Sequence, residues 1–164
     1  MNIIDSISQE LAHEASATRK ALERVPEGKL AWKPHEKSMT LGQLVSHMVE
    51  IPGWAGVTIQ LSEFTMDPET YKPWMANTRA ELLAKFDSNV TEAQKAMEGV
   101  TNEHLMQPWA FIMGGEKVFE MPRVVVLRNM ILNHAVHHRG QLSVYLRLLN
   151  IPVPATYGPS ADEK

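Results

Sequence analysis

The sequence predicts an all-α protein: a four-helix bundle with a small β-hairpin inserted before the last helix. Three observations carry this. Four long stretches repeat apolar residues at spacings of three and four. Two of them open on a Thr-x-x-Gln or Thr-x-x-Glu capping signature. The only clear strand signal is a short run broken by Gly114-Gly115. The 164 residues make one domain, 1–164, and 44% hydrophobic with 21% charged residues is a globular composition rather than a disordered one.

The first helix runs from about Asn2 to Arg24. Ile4, Ile7, Leu11, Ala15, Leu22 and Val25 form its apolar stripe, and Pro26-Glu27-Gly28 ends it. Thr40 and Gln43 open the second helix as a capping box. Its stripe is Leu41, Leu44, Val45, Met48, Ala55 and Ile59. Pro52 interrupts it and predicts a kink, because its ring meets the carbonyl four residues back. Residues 66–74 hold two prolines and read as a connection. The third helix starts at Thr78, with Glu81 completing a second capping box. It buries Leu82, Phe86, Val90, Ala93 and Met97, and ends near Gly99. In PWAFIMGGEKVFEMP the two glycines supply the positive φ angles of a hairpin turn, setting Phe111 opposite Val118. Pro122 suits the first position of the last helix. That helix runs to about Leu149, where Asn150 can turn left-handed and Pro152 blocks continuation. The long linkers leave room for crossover connections.

Composition removes several functions. Lysine and arginine number 16 against 19 acidic residues, a net charge of −3, so the basic excess of a phosphate-gripping protein is missing and no nucleic-acid partner is expected. There is no cysteine, which excludes disulfides, thiolate-bound zinc, iron–sulfur clusters and a cysteine nucleophile. No apolar run reaches the roughly 18 residues needed to cross a bilayer, so no membrane partner is expected. The opening MNIIDSISQELAHEA lacks a basic stretch followed by an apolar one, and a cytoplasmic location is the expectation.

Histidine carries the chemistry. Of seven histidines, His134, His137 and His138 fall within five positions of the last helix. At about 100° per residue, His134 and His138 are roughly 40° apart, one turn apart on one face. Leu127, Ile131, Ala135, Leu142 and Leu149 mark the core side. Measured from it, His138 lies roughly 20° away, His134 roughly 60° and His137 about 120°. The first two point inward and His137 to the rim. A buried imidazolium is costly, so the inward pair should be neutral and needs partners. Those are either polar side chains of the core or a shared divalent metal, which an i, i+4 pair can reach with both rings. His47, bordering the inward stripe just before the Pro52 kink, is the third candidate ligand. His13 falls off its stripe, and His35 and His104 lie in connections.

Three imidazoles would leave coordination positions open, the arrangement of catalytic rather than structural metals. An open position lowers the pKa of bound water. All-imidazole ligation suits zinc, nickel, copper or iron and disfavours magnesium and calcium. Two other metal motifs fail. Ala135 stands where a zincin helix needs glutamate, and residues 122–150 contain no Asp or Glu for a di-iron site. Glu50, one turn past His47, reads first as a solvated surface carboxylate, and otherwise as a base or a support for the ligands. No Gly-rich phosphate loop or G-x-S-x-G element is present. No catalytic residue and no organic cofactor is assigned.

The segments LGQLVSHMVEIPGW around His47 and NHAVHHRGQLSVYLRLLNIPVPATYGPSADE around His134 and His138 resemble the DinB/YfiT-like family. That family consists of small four-helix-bundle proteins, often dimeric, described as metal-dependent enzymes. Its pattern is one histidine in the second helix and H-x-x-x-H-R-G-Q in the last. Here these are His47, His134 and His138, followed by Arg139, Gly140 and Gln141. The resemblance spans the chain, including the tail with Tyr157 and Asp162. It implies that the three histidines bind a divalent metal, nickel or zinc, and that the protein forms a homodimer. Some relatives transfer low-molecular-weight thiols and others are isomerases that use one. The implied function is therefore a metal-dependent enzyme activating a thiol or water, a thiol S-transferase or hydrolase acting on a small molecule. The alternative is a non-catalytic metal-binding or ligand-sensing module. On the wheel Arg139 lies roughly 80° from the core axis and Gln141 similarly on the other side, positions suited to bridging helices or subunits.

Overall fold

The computed structural model describes residues 2–164. Four helical rods and a three-stranded sheet build it. The first rod is α1 (Ile3–Leu22), whose whole predicted stripe from Ile4 to Leu22, with Val25 beyond it, is buried. The second is broken as its proline demands. Helix α2 (Leu41–Glu50) passes through a 3-10 turn (Ile51–Gly53) into α3 (Trp54–Gln60). Thr40 Oγ1 accepts from the Gln43 N–H at 3.1 Å and Gln43 Oε1 accepts from the Thr40 N–H at 2.8 Å, the predicted capping box. At the kink, the buried Asn89 side chain donates to the Val49 carbonyl at 2.7 Å, so the break leaves that acceptor paired.

The third rod, α4 (Arg79–Met97), is capped by Thr78, whose hydroxyl accepts from the Glu81 N–H. Glu81 returns its bond to the Asn77 N–H rather than to that of Thr78, one residue short of the predicted box. A short helix, α5 (Asn102–Met106), follows. The last rod begins at α6 (Arg123–Val126), with Pro122 as the cap itself, not the first helical residue. It continues through a π-helical stretch (Leu127–Asn133) into α7 (His134–Leu148). Asn150 has φ 58°, and the Ile151 and Asn150 N–H groups bond the Leu146 and Arg147 carbonyls, so the rod ends in a Schellman motif as predicted.

Helix α1 packs on α4 and α7, and α2 packs on the same two. The first two rods therefore sit at diagonal corners and the chain crosses over between them.

The protein is mostly helical, and the predicted hairpin is present as two strands of a small three-stranded sheet. Strand β1 (Glu63–Met66) pairs in parallel with β2 (Pro108–Met113), which pairs antiparallel with β3 (Glu116–Pro122). Gly114 and Gly115, at φ 59° and 84°, make the two-residue turn that only positive φ permits. A bulge between Phe111 and Ile112 shifts the register, so Phe111 faces Phe119 and not Val118. Buried Arg123 fastens the sheet to the rods, donating to the Pro108 carbonyl at 2.9 Å and the Leu61 carbonyl at 2.8 Å.

Two apolar clusters form the core, one around Leu44, Met48 and Leu146, the other around Ile51, Leu127 and Ile131. Each fully buried aliphatic side chain contributes about 1.5–3 kcal/mol. Along the last rod the clusters are separated by the stretch between Leu132 and Leu142, which carries the histidines. No helix among the described residues is long and apolar enough to cross a membrane.

Candidate metal centre

His47, on α2 one turn before the kink, meets His134 and His138 from the first turns of α7. Their ligand nitrogens all lie within 4.8 Å of one another. His134 Nε2 is 3.3 Å from His47 Nε2 and 2.8 Å from His138 Nε2. His138 is 7% exposed and the other two are partly buried. His137 is exposed, pointing to the rim as the wheel argument requires, and so are His13 and His35. His104 is occupied elsewhere, its Nε2 donating to the Ile59 carbonyl at 2.8 Å.

The outward nitrogens fix the tautomers. His138 Nδ1 lies 2.7 Å from Gln141 Oε1, and His134 Nδ1 lies 3.3 Å from the Met130 carbonyl. Both partners are acceptors, so both Nδ1 atoms carry the proton and both Nε2 atoms are bare. Two lone pairs then face each other across 2.8 Å, a repulsive contact that a cation between them reverses. Two nitrogens bound at about 2.0–2.1 Å to one ion stand about 2.8–3.4 Å apart at octahedral or tetrahedral angles, which matches both observed separations. The residues present fit a divalent metal. Gln141 is then a positioning residue for His138, where the wheel suggested a bridge between helices or subunits, although its i+3 spacing from His138 was visible. Gln141→Leu should weaken metal binding about 10–100-fold in a competition titration while leaving the fold intact.

Burial pushes the His47 ring down to about 4, with the neighbouring His138 and His134 charges adding to the effect. Burial likewise lowers His134 and His138. Between the ordinary histidine value of about 6.5 and the lowered native one, the unfolded chain binds protons that the native chain does not. The metal-free protein should therefore hold its full stability above about pH 6.5 and lose it progressively as pH falls toward 4, as read by thermal unfolding across that range.

A cavity of about 570 Å³ opens against His47. Its walls come from the kinked second rod (Trp54, Val57), from the sheet (Phe64, Trp109, Phe111) and from residues 71–75. The last of these is pinned by the Ala76 N–H, which donates to the buried Ser46 Oγ at 3.0 Å. Trp54 lies edge-on to His47 and tilted against His134, with ring centroids 5.5 and 5.6 Å away, so the candidate metal centre and the cavity share a wall.

The DinB family model matches residues 1–164, the whole chain. The chain belongs to the DinB family. It is 27% identical over 161 residues to the uncharacterized protein YrdA of Bacillus subtilis strain 168, covering 98% of this chain and 91% of YrdA. A DinB-like protein of Bacillus cereus ATCC 10987 has a similar fold, with a TM-score of 0.72 at 22% identity, covering 95% of this chain and 98% of its own. The DinB-like protein YjoA of Bacillus subtilis gives 0.66 at 18% identity, covering 97% and 99%.

Two other family-motif residues of this DinB chain have clear places. Arg139 is 3% exposed and bridges helices, as its place on the wheel suits: its guanidinium meets Glu14 Oε2 at 2.6 Å and Tyr157 Oη at 2.5 Å, and donates to the Glu14 carbonyl at 3.0 Å. Gly140 is exposed on the rod's outer side. In the DinB tail, Asp162 bonds Arg147 and the Val153 N–H, and Glu163 bonds Arg24 and the Ala155 N–H. These residues dock the C-terminus on the rods. Glu50 corrects the sequence reading. It lines the cavity, and its Oε2 is buried without a hydrogen-bond partner, so it is no solvated surface carboxylate. Burial raises its pKa, against a backbone N–H at Trp74 and the charge of Lys85.

Proposed function

We propose that this DinB-family four-helix bundle is a metal-dependent enzyme of small-molecule chemistry, with His47, His134 and His138 holding one nickel or zinc ion. The observation that carries the reading is the convergence of three ring nitrogens, two of them bare, beside a cavity large enough for a small substrate. Among the described residues the cluster has no fourth protein donor. When bound, such an ion lowers the pKa of a thiol or of water. The chain's own contribution is orientation. Gln141 and the Met130 carbonyl hold the Nδ1 protons and so aim Nε2 inward. Trp54 and the sheet aromatics give the chamber apolar walls. The reading takes thiol S-transfer or hydrolysis as the reaction, and a cytoplasmic homodimer as the working form, with neither nucleic acid nor membrane as partner.

The test is conjugation of an electrophile with a panel of thiols, and hydrolysis of simple esters, with and without Ni²⁺ or Zn²⁺. Turnover that requires metal is the expected result. No metal-dependent turnover across the set would move the protein to a non-catalytic metal-binding or ligand-sensing module.

A further inference from the structure

The cavity is aromatic well beyond the chain's average. Three of the four tryptophans, Trp54, Trp74 and Trp109, line it, and so do three of the four phenylalanines. Its polar lining is Gln43, His47, Glu50, Thr58 and Tyr71, of which Glu50 is the one carboxylate. No lysine or arginine is among the described residues that line it. The carboxylate in its wall is that of Glu50, whose Oε2 is buried and unpaired. Tyr71, across from it on the pinned segment, lies in the field of that carboxylate. Lys85 acts on Glu50 from α4, but it is exposed and forms no ion pair with it.

We infer that the chamber selects an apolar substrate carrying a protonated amine, held by the faces of the aromatic walls and by the Glu50 carboxylate. Ring faces attract organic cations, and the attraction is strongest for tryptophan and for desolvated sites. A buried carboxylate oxygen left without a partner is costly until a cation reaches it. In the metal-free protein an anionic substrate would meet the opposite conditions, with its charge beside Glu50 and no lysine or arginine among the described lining residues to balance it. The unpaired Trp109 Nε1 supplies one neutral donor, which does not neutralise a carboxylate or phosphate. The inference rests on the enzymatic reading of the metal centre, in that it names the substrate of the same site.

The experiment is calorimetric titration of the metal-free protein with phenylbutylamine, phenylbutanol and phenylbutyrate, which share one apolar body, repeated after loading with Zn²⁺. The amine should bind the metal-free protein at least about tenfold more tightly than the carboxylate. Glu50→Gln should lower the amine's affinity about tenfold and leave the alcohol's unchanged. Equal or tighter binding of the carboxylate, no binding of the amine, or an amine affinity indifferent to Glu50→Gln would each overturn the inference. The comparison within the unaltered protein stands even if the variant misfolds. Metal content is read separately by elemental analysis. Amine preference in a protein that takes up no metal overturns only the metal reading, and a protein that takes up metal without amine preference overturns only this one.

Discussion

His134→Ala and His138→Ala should each take the metal content of protein purified without a histidine tag from about one ion per chain to near zero, while His137→Ala leaves it unchanged. The contrast is sharp because the three residues share five positions of one helix. Their chemistry is identical and only their direction differs. His134 and His138 present bare Nε2 atoms 2.8 Å apart, and His137 is exposed with its ring 5.0 Å from that of His138, outside the cluster. Removing either inward ring leaves two nitrogens, too few to hold an ion firmly against water. His47→Ala should give the same loss from the other rod. Equal loss with His137→Ala would mean that ligation depends on histidine count and not on ring direction, and full retention in His134→Ala would remove the metal centre altogether.

The residues that set the site's geometry were mostly legible, because helical periodicity is strong where helices are long. The stripes of α1 and α2 are buried residue for residue, and the Pro52 kink and the Asn150 terminus lie where backbone chemistry puts them. The failures are local and share a cause: each depends on contacts between distant segments. Strand β1 has four residues, mostly exposed, and exists because β2 pairs with it some 45 residues later. The π-helical stretch before His134 has no signature in residue type. Arg139, at the edge of the wheel's core side, is buried because Glu14 and Thr18 of α1 and Tyr157 of the tail close over it, contacts that α7 alone does not reveal. Glu50 looked like a surface carboxylate because nothing in its own helix shows that residues 71–75 fold over it. The candidate metal ligands were visible since two lie on one helix. The cavity was not, since its walls come from five separate parts of the chain, between Met39 and Met130.

Arg139→Met should destabilise the fold by about 3–5 kcal/mol, a fall in Tm of roughly 10 °C for a chain of this size. The guanidinium and the Glu14 carboxylate are 4% and 9% exposed as side chains, and the arginine also holds the Glu14 carbonyl, the Thr18 hydroxyl and Tyr157. Its removal leaves a carboxylate buried with only the Tyr157 hydroxyl donating to it, at 2.8 Å. The loss thus reflects the abandoned charge more than the net value of the pair. Glu14→Leu combined with Arg139→Met should therefore recover most of the stability, because a buried ion pair replaced by apolar groups of similar volume is close to neutral. The same comparison decides what the arginine is for. A staple between α1, α7 and the tail predicts that the double variant, once folded, retains its metal, since none of these contacts involves His47, His134 or His138. A residue that touches substrate predicts the reverse pattern: little change in unfolding midpoint, with turnover lost in both variants. Chemical denaturation and elemental analysis on the same three preparations separate the two, and the burial of Arg139 together with its absence from the residues lining the cavity predicts the first.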